Sequence, residues 1–217
     1  MRAFVMIAVF ESVLAALLFG CAGRVDLPWF WALLGIHTVV MAVNVWVMDP
    51  ELRKERMTFK RPAGADRSIR AFLLPFLLAH LAVAGLDARF GWTGPVALWI
   101  HVVGMIGYVA GVGLSVWAMA VNKFFAPVVR LSSERGHHVI NTGPYRFVRH
   151  PGYLGFAFAL FSEAFMLGSY WALLPMVGGL LVIMKRTLVE DRFLHEKLAG
   201  YSEYARGVRW RLARGVW

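Results

Sequence analysis

Polar residues that could do chemistry crowd into one short stretch of the chain, residues 143–155. It holds two tyrosines, two arginines and a histidine, separated by glycine and proline. Proline suits the first turn of a helix, and the residue before a proline is disfavoured in the helical region, so we predict a helix that begins at His150-Pro151. The unpaired N–H groups of that first turn, with Arg146 and Arg149 beside them, would form a site for an anion. Ordinary basic flanking of a membrane span is the alternative.

A second polar group follows some thirty residues later. Arg186 and Glu190 are four positions apart, so they share one face of a helix, although this order of base and acid stabilises a helix less than the reverse. Together with Asp191 they could form a polar wall, in which the arginine holds an anionic group and the carboxylates hold a ribose or an ammonium group. The spacing does not suggest a metal site. A solvated helix face is the alternative.

Three other features carry weaker signals. Gly111-Val112-Gly113 lies inside an apolar segment, where we expect close helix packing. Glu11 and Glu163 are carboxylates inside apolar segments, which points to a bundle interior or to a function that the sequence does not define. Cys21 is the only cysteine, which excludes an intramolecular disulfide and a metal site built from several cysteines.

The composition indicates that these residues are positioned by membrane helices. Of 217 residues, 59% are hydrophobic and 17% are charged, whereas soluble globular chains carry about 25% charged residues. The apolar residues form six blocks: Ala3–Cys21, Pro28–Met48, Ala71–Leu86, Pro95–Val121, Gly152–Leu167 and Tyr170–Met184.

The lengths of these blocks predict how each meets the bilayer. The first, second and fourth approach or exceed the ~20 residues that cross the hydrocarbon core. The third, fifth and sixth are shorter, so each is a short span or one arm of a re-entrant hairpin. The turn Gly168-Ser169 would make the last two an antiparallel helical pair. The predicted fold is an all-α integral membrane protein with about six membrane-embedded helices and a cytosolic C-terminal helix.

The distribution of basic residues predicts the orientation. Twenty of the 23 lysines and arginines lie in three segments, with seven in Asp49–Arg70, five in Asn122–His150 and eight from Lys185 onward. With six crossings these segments fall on one side, which the positive-inside rule makes cytosolic. We therefore expect both termini in the cytosol, in a bacterial inner membrane. The net charge of +10 follows from this topology, so a nucleic-acid partner is not expected, whereas contact with anionic lipid headgroups is.

Three motifs in the second half of the chain resemble a known family. The run Gly-Pro-Tyr-Arg-x-x-Arg-His-Pro-x-Tyr-x-Gly begins at Gly143, Arg-x-x-x-Glu-Asp begins at Arg186, and Gly-Tyr-x-x-Tyr begins at Gly200. Together they resemble the isoprenylcysteine carboxyl methyltransferase family, which is related to the membrane phospholipid N-methyltransferases. The resemblance covers about Asn122 to Trp217. It implies an integral-membrane enzyme that uses S-adenosylmethionine at the cytosolic side. Residues 1–121 would then be a scaffold of four transmembrane helices, and residues 122–217 the cofactor-binding and catalytic region.

The resemblance also implies roles for individual residues. Glu190 and Asp191 match an acidic pair, usually Glu-Glu, that helps to hold the cofactor, and the shorter aspartate reduces the reach of the second position. Arg186 matches an arginine that orients the substrate, and Glu190 is the candidate base if the acceptor is an amine. The residues expected to line the cofactor pocket are Tyr145, Arg149, His150, Pro151, Tyr153 and Gly155.

The methyl acceptor is not defined by the sequence. The expected partners are the lipid bilayer and a lipophilic acceptor, which could be a prenylcysteine-like carboxylate, a phospholipid amine, a small thiol or another lipophilic metabolite. Two alternatives stay open at this point. The C-terminal region also resembles that of membrane sterol reductases, which would make the protein an NADPH-dependent reductase. The third possibility is a membrane protein without enzymatic activity. The oligomeric state is not indicated.

Overall fold

A computed structural model of the chain describes residues 2–50, 53, 65–125 and 136–217. Within these ranges the secondary structure is helical and no strand is found, which agrees with the predicted fold class. Most of the basic segment Asp49–Arg70 and part of the segment Asn122–His150 lie outside the described residues. The helices are α1 (Arg2–Ala22), α2 (Pro28–Val47), α3 (Ala65–Phe90), α4 (Leu98–Val121), a 3-10 turn (Gly143–Arg146), α5 (Pro151–Leu167), α6 (Leu173–Lys197) and α7 (Tyr201–Gly207).

Four of the described helices are long and apolar enough to cross a bilayer. Their apolar portions are Phe4–Ala22, Pro28–Val47, Leu73–Phe90 and Leu98–Val121. The predicted count of about six membrane-embedded helices is therefore not confirmed. Helix α5 is apolar but has only 17 residues. Helix α6 has 25 residues, and its second half carries the charged side chains from position 185 onward.

Helix α3 is longer than the third apolar block predicted. The apolar block ends at Leu86, but the helix continues to Phe90 and so reaches spanning length. Asp87, which follows the block, is buried rather than solvated. Its carboxylate accepts hydrogen bonds from the backbone N–H and hydroxyl of Thr93 and from the hydroxyl of Ser169. Because these donors satisfy the buried charge, the helix can keep Asp87 in its last turn.

Helix α5 packs mainly against α4, whereas α6 packs mainly against α3. The last two apolar helices are joined by a short connection, as predicted, and they also pack against each other, because Ala157 and Leu160 share a cluster with Met176 and Ile183. Glycine explains the choice of partner. A Cβ atom on Gly111 would lie 2.5 Å from the backbone nitrogen of Ala159, and one on Gly155 would lie 2.5 Å from the carbonyl oxygen of Gly111. Close packing at Gly111 is confirmed, whereas Gly113 faces open space.

The two carboxylates inside apolar segments each meet a histidine on a neighbouring helix. Glu11 Oε1 on α1 lies 2.5 Å from Nδ1 of His37 on α2. Glu163 Oε1 on α5 lies 3.7 Å from Nε2 of His80 on α3, and the other ring nitrogen of His80 donates to a backbone carbonyl. Both carboxylates therefore face partner helices, as expected for charged groups inside a bundle.

Candidate functional site

Asp191 forms the centre of a buried polar cluster at the end of the bundle where α5 begins. Its side chain is 3% exposed. Oδ1 accepts hydrogen bonds from Arg149 Nε at 2.9 Å, Tyr201 Oη at 2.9 Å and His150 Nε2 at 3.3 Å. Oδ2 accepts from Arg149 Nη2 at 3.1 Å and Arg211 Nε at 2.9 Å. Five donors on four side chains thus converge on one carboxylate. We call these five residues the Asp191 cluster.

The surroundings of Asp191 keep it ionised. Burial by itself raises the pKa of its carboxyl, but hydrogen bonds from His150, Arg149, Arg211 and Tyr201 outweigh burial and hold the pKa well below its usual range. Burial, followed by the negative charge of Asp191, raises the pKa of Tyr201 above its ordinary value, so this hydroxyl stays protonated and able to donate. The cluster therefore holds one carboxylate charge against two guanidinium charges.

Local backbone geometry aims these side chains at one another. His150 has extended φ and Pro151 starts α5, as the sequence predicted, so Arg149 and His150 lie just outside the first turn. Gly200 has φ +81°, a conformation that favours glycine, and it turns the chain from α6 into α7. This turn brings Tyr201 back towards Asp191, which lies ten positions earlier.

A second polar group lies beside the Asp191 cluster and is more open. Tyr153 Oη donates to Glu190 Oε2 at 2.5 Å and accepts from Arg186 Nε at 2.6 Å, and the guanidinium also lies over the tyrosine ring. The Glu190 side chain is 27% exposed. His150 connects the two groups, because its Nδ1 lies 4.0 Å from Glu190 Oε1 while its Nε2 faces Asp191. We call Tyr153, Arg186 and Glu190 the outer triad.

Tyr145 lies on the other side of this region, in the 3-10 turn. Its hydroxyl accepts a hydrogen bond from Asn122 Nδ2 at 3.1 Å, and its carbonyl accepts one from Tyr204 Oη at 2.7 Å. Beside it is an open cavity of about 590 Å³. The cavity is lined by residues of the loop before α5 and of the α6–α7 region, including Asn141, Arg146, Glu203 and Tyr204. Polar groups of both charges thus face this cavity.

The structure brings together most of the residues that the sequence singled out. Arg149, His150 and Asp191 meet in the Asp191 cluster, and the outer triad lies next to them. Gly155 and Pro151 are placed differently. Gly155 lies in the contact between α4 and α5, and Pro151 is fully buried at the helix start. The expected pocket-lining role of these two residues has no contact in the structure to support it, and the site roles as a whole stay predictions.

Three contributors were not among the predicted site residues. Tyr201 and Tyr204 belong to the Gly-Tyr-x-x-Tyr motif, so the sequence carried a signal for both. Arg211 reaches Asp191 from a distance of 20 positions, and no motif marks it. Among the described residues there is no group of three or more histidine, cysteine or acidic side chains placed to hold a metal.

Residues 99–200 match the phospholipid methyltransferase family, abbreviated PEMT. The matched segment is slightly less than half of the chain. The phospholipid methyltransferases belong to the same family of membrane methyltransferases as the isoprenylcysteine carboxyl methyltransferases, so the resemblance seen in the motifs is confirmed. No curated protein matches the chain.

The extent of the matched segment matters for the site. It begins with α4, which the sequence had assigned to the scaffold, and it includes the outer triad and Asp191. It ends at residue 200, before Tyr201 and Arg211. The family match and the four apolar helices together point to an integral membrane protein. They give no support to the reductase alternative.

Proposed function

We propose that the protein is an S-adenosylmethionine-dependent methyltransferase that acts on a lipophilic or membrane-associated acceptor at the cytosolic surface of the membrane. The observation that carries this proposal is the outer triad. It places a carboxylate and a guanidinium each within hydrogen-bond distance of one phenol hydroxyl, inside the segment that matches the family. The cytosolic location is inferred from the positions of the basic segments.

The chemistry of these side chains fits the cofactor. S-adenosylmethionine carries a sulfonium, an ammonium, a carboxylate and ribose hydroxyls. Glu190 is partly exposed and can accept from an ammonium or from hydroxyl groups, and a guanidinium such as that of Arg186 suits a carboxylate. Asp191 is less suited to direct contact, because both of its oxygens already accept hydrogen bonds from buried donors. We therefore assign cofactor contact to Glu190 and not to Asp191.

When bound, the cofactor would supply an electrophilic methyl group for in-line attack by the acceptor, with S-adenosylhomocysteine as the leaving group, and this transfer needs no metal. The protein then has to align the acceptor and exclude water. For a carboxylate acceptor no general base is needed, and Arg186 would pair with the acceptor. For an amine acceptor a proton must leave, and Glu190, which already accepts a hydrogen bond from Tyr153, is the group placed to take it.

The experiment that defines the acceptor class is transfer of a labelled methyl group from S-adenosylmethionine into a membrane-lipid extract. Identification of the labelled product would separate a prenylcysteine-like carboxylate, a phospholipid amine and a thiol. The wild-type protein should label one lipid species, and the Glu190→Ala variant should label it much more slowly. An absence of label in every lipid and thiol fraction would overturn the lipophilic acceptor.

Cofactor binding can be tested separately from the acceptor. S-adenosylhomocysteine should raise the melting temperature of the purified protein, and NADPH should not. Glu190→Ala should lose this response while the protein still inserts and folds. Glu196→Ala is the matched control, because Glu196 is an exposed carboxylate on the same helix, and it should respond as the wild type does. Stabilisation by NADPH alone would contradict the methyltransferase function, and unchanged affinity in Glu190→Ala would remove Glu190 from the site.

A further inference from the structure

Residues 208–217 lie beyond the segment that matches the family, yet they close directly over the start of α5. The backbone N–H groups of Arg149 and His150 donate to the carbonyl oxygens of Trp210 and Arg211, each at 2.9 Å. Arg149 Nη1 donates to the carbonyls of Val208 and Arg209 at 3.0 and 2.8 Å. We call residues 208–217 the closing segment. It is attached to the residues just before α5 by four hydrogen bonds.

Arg211 contacts the Asp191 cluster in two ways. Its backbone carbonyl accepts from His150, and its side chain donates to Asp191 Oδ2 at 2.9 Å. Asp191 in turn accepts from His150 Nε2 through its other oxygen. The Arg211 side chain therefore limits the rotation of the Asp191 carboxylate, and the carboxylate limits the rotation of the His150 ring.

The orientation of His150 matters to the outer triad. A carboxylate can only accept, so His150 Nε2 carries the hydrogen in the bond to Asp191. In the neutral ring the lone pair is then on Nδ1, which lies 4.0 Å from Glu190. Glu190 is the residue to which cofactor contact is assigned above. A change in the orientation or tautomer of the His150 ring would therefore alter the electrostatic environment of Glu190.

We propose that Arg211 is a positioning residue of the methyltransferase, which acts through Asp191 to fix the ring of His150 beside Glu190. This proposal rests on the proposed function for its effect on the cofactor, and on the geometry alone for its effect on His150. It extends the site beyond the segment that matches the family. Arg149 belongs to the same arrangement, because all three of its guanidinium nitrogens donate to Asp191 or to the closing segment.

The test compares full-length protein in detergent with Arg211→Met, which removes the side-chain bond and keeps the backbone bond from His150. Arg214→Met is the control, because Arg214 is an exposed arginine of the same segment. In Arg211→Met the dissociation constant for S-adenosylhomocysteine should rise roughly tenfold, which corresponds to the loss of about 1.4 kcal/mol. The KM for the cofactor should rise by a similar factor with little change in kcat, because the interaction supports binding. Arg211→Lys should restore part of the affinity, and Arg214→Met should behave as the wild type.

A second measurement does not depend on cofactor binding. The ¹⁵N chemical shifts of the His150 ring, assigned with a His150→Gln variant, should show protonated Nε2 in the wild type and a mixture of tautomers in Arg211→Met. Unchanged shifts together with unchanged cofactor affinity would overturn the proposal, and the Arg211 side chain would then only stabilise the fold. If the wild type itself does not bind S-adenosylhomocysteine, the proposed function fails, and the His150 shifts still decide whether Arg211 positions the ring. If Arg211→Met does not fold, the same measurements are made on Arg211→Gln, which keeps a neutral donor.

Discussion

Replacing Asp191 by asparagine removes one negative charge from between two arginines with almost no change in side-chain size. The wild-type carboxylate receives five hydrogen bonds and its side chain is 3% exposed. The variant leaves the guanidinium of Arg149, itself 5% exposed, without a counter-charge. Removing one partner of a buried ion pair costs about 3–5 kcal/mol. We expect Asp191→Asn to lose about this much free energy of unfolding.

The chain offers a matched control for this variant. Asp26 forms the same two-point pair with Arg24, in which Nε and Nη2 donate to the two carboxylate oxygens at 2.7 and 2.9 Å. The difference is burial, since the Asp26 side chain is 73% exposed. Exposed pairs are screened by water and salt and contribute little to stability. Asp26→Asn should therefore leave the melting temperature unchanged.

The assay is thermal unfolding in detergent, with both variants measured at the same scan rate. For a protein of this size a loss of 1 kcal/mol lowers the melting temperature by roughly 2–4 °C, so Asp191→Asn should lower it by about 6–20 °C. Equal melting temperatures for the wild type and Asp191→Asn would refute the argument that the cluster is held together by the charge of Asp191. A large shift for Asp26→Asn would show that detergent exposure, and not burial, dominates these pairs.

Two further predictions concern acid pH and helix packing. Because the pKa of Asp191 is lower in the folded state, its stabilising effect is complete above the ordinary aspartate pKa of about 3.9 and is lost as the pH falls towards the folded-state value. The difference in melting temperature between wild type and Asp191→Asn should therefore shrink below about pH 4, and a difference that grows there would contradict the sign of the shift. Gly111→Ala should destabilise the protein by about 1–3 kcal/mol, because its methyl group would overlap the backbone of Ala159. Gly113→Ala, which meets open space, should not, and equal losses in thermal unfolding for the two variants would contradict the α4–α5 packing.

The extent to which the sequence predicts the fold follows from the range of the interactions involved. The apolar lengths of the first, second and fourth blocks predicted three spans, because crossing the bilayer depends on local hydrophobicity alone. The third span was underestimated. The apolar block ends before Asp87, but donors from nearby Thr93 and from Ser169, 82 positions away, allow the helix to continue through this residue. The sequence did not predict that α5 packs mainly against α4, because helix pairing depends on surface shape as well as on the length of the connecting loop.

In the candidate site, too, some features follow from local sequence and others only from contacts between distant residues. The sequence by itself determined that α5 starts at Pro151, because the proline ring and the residue before it restrict the backbone locally. It also placed Arg186 and Glu190 on one face of α6, because a helix turns about 100° per residue.

Only the tertiary structure decided how the two adjacent carboxylates differ. Glu190 belongs to the outer triad, and its side chain is partly exposed. Asp191 instead faces Arg149, which lies 42 positions away, and Arg211 in the closing segment. No local pattern records which side of a helix will be covered, because burial depends on distant parts of the chain. The folded protein therefore separates a partly exposed carboxylate, to which we assign cofactor contact, from one that is buried among hydrogen-bond donors.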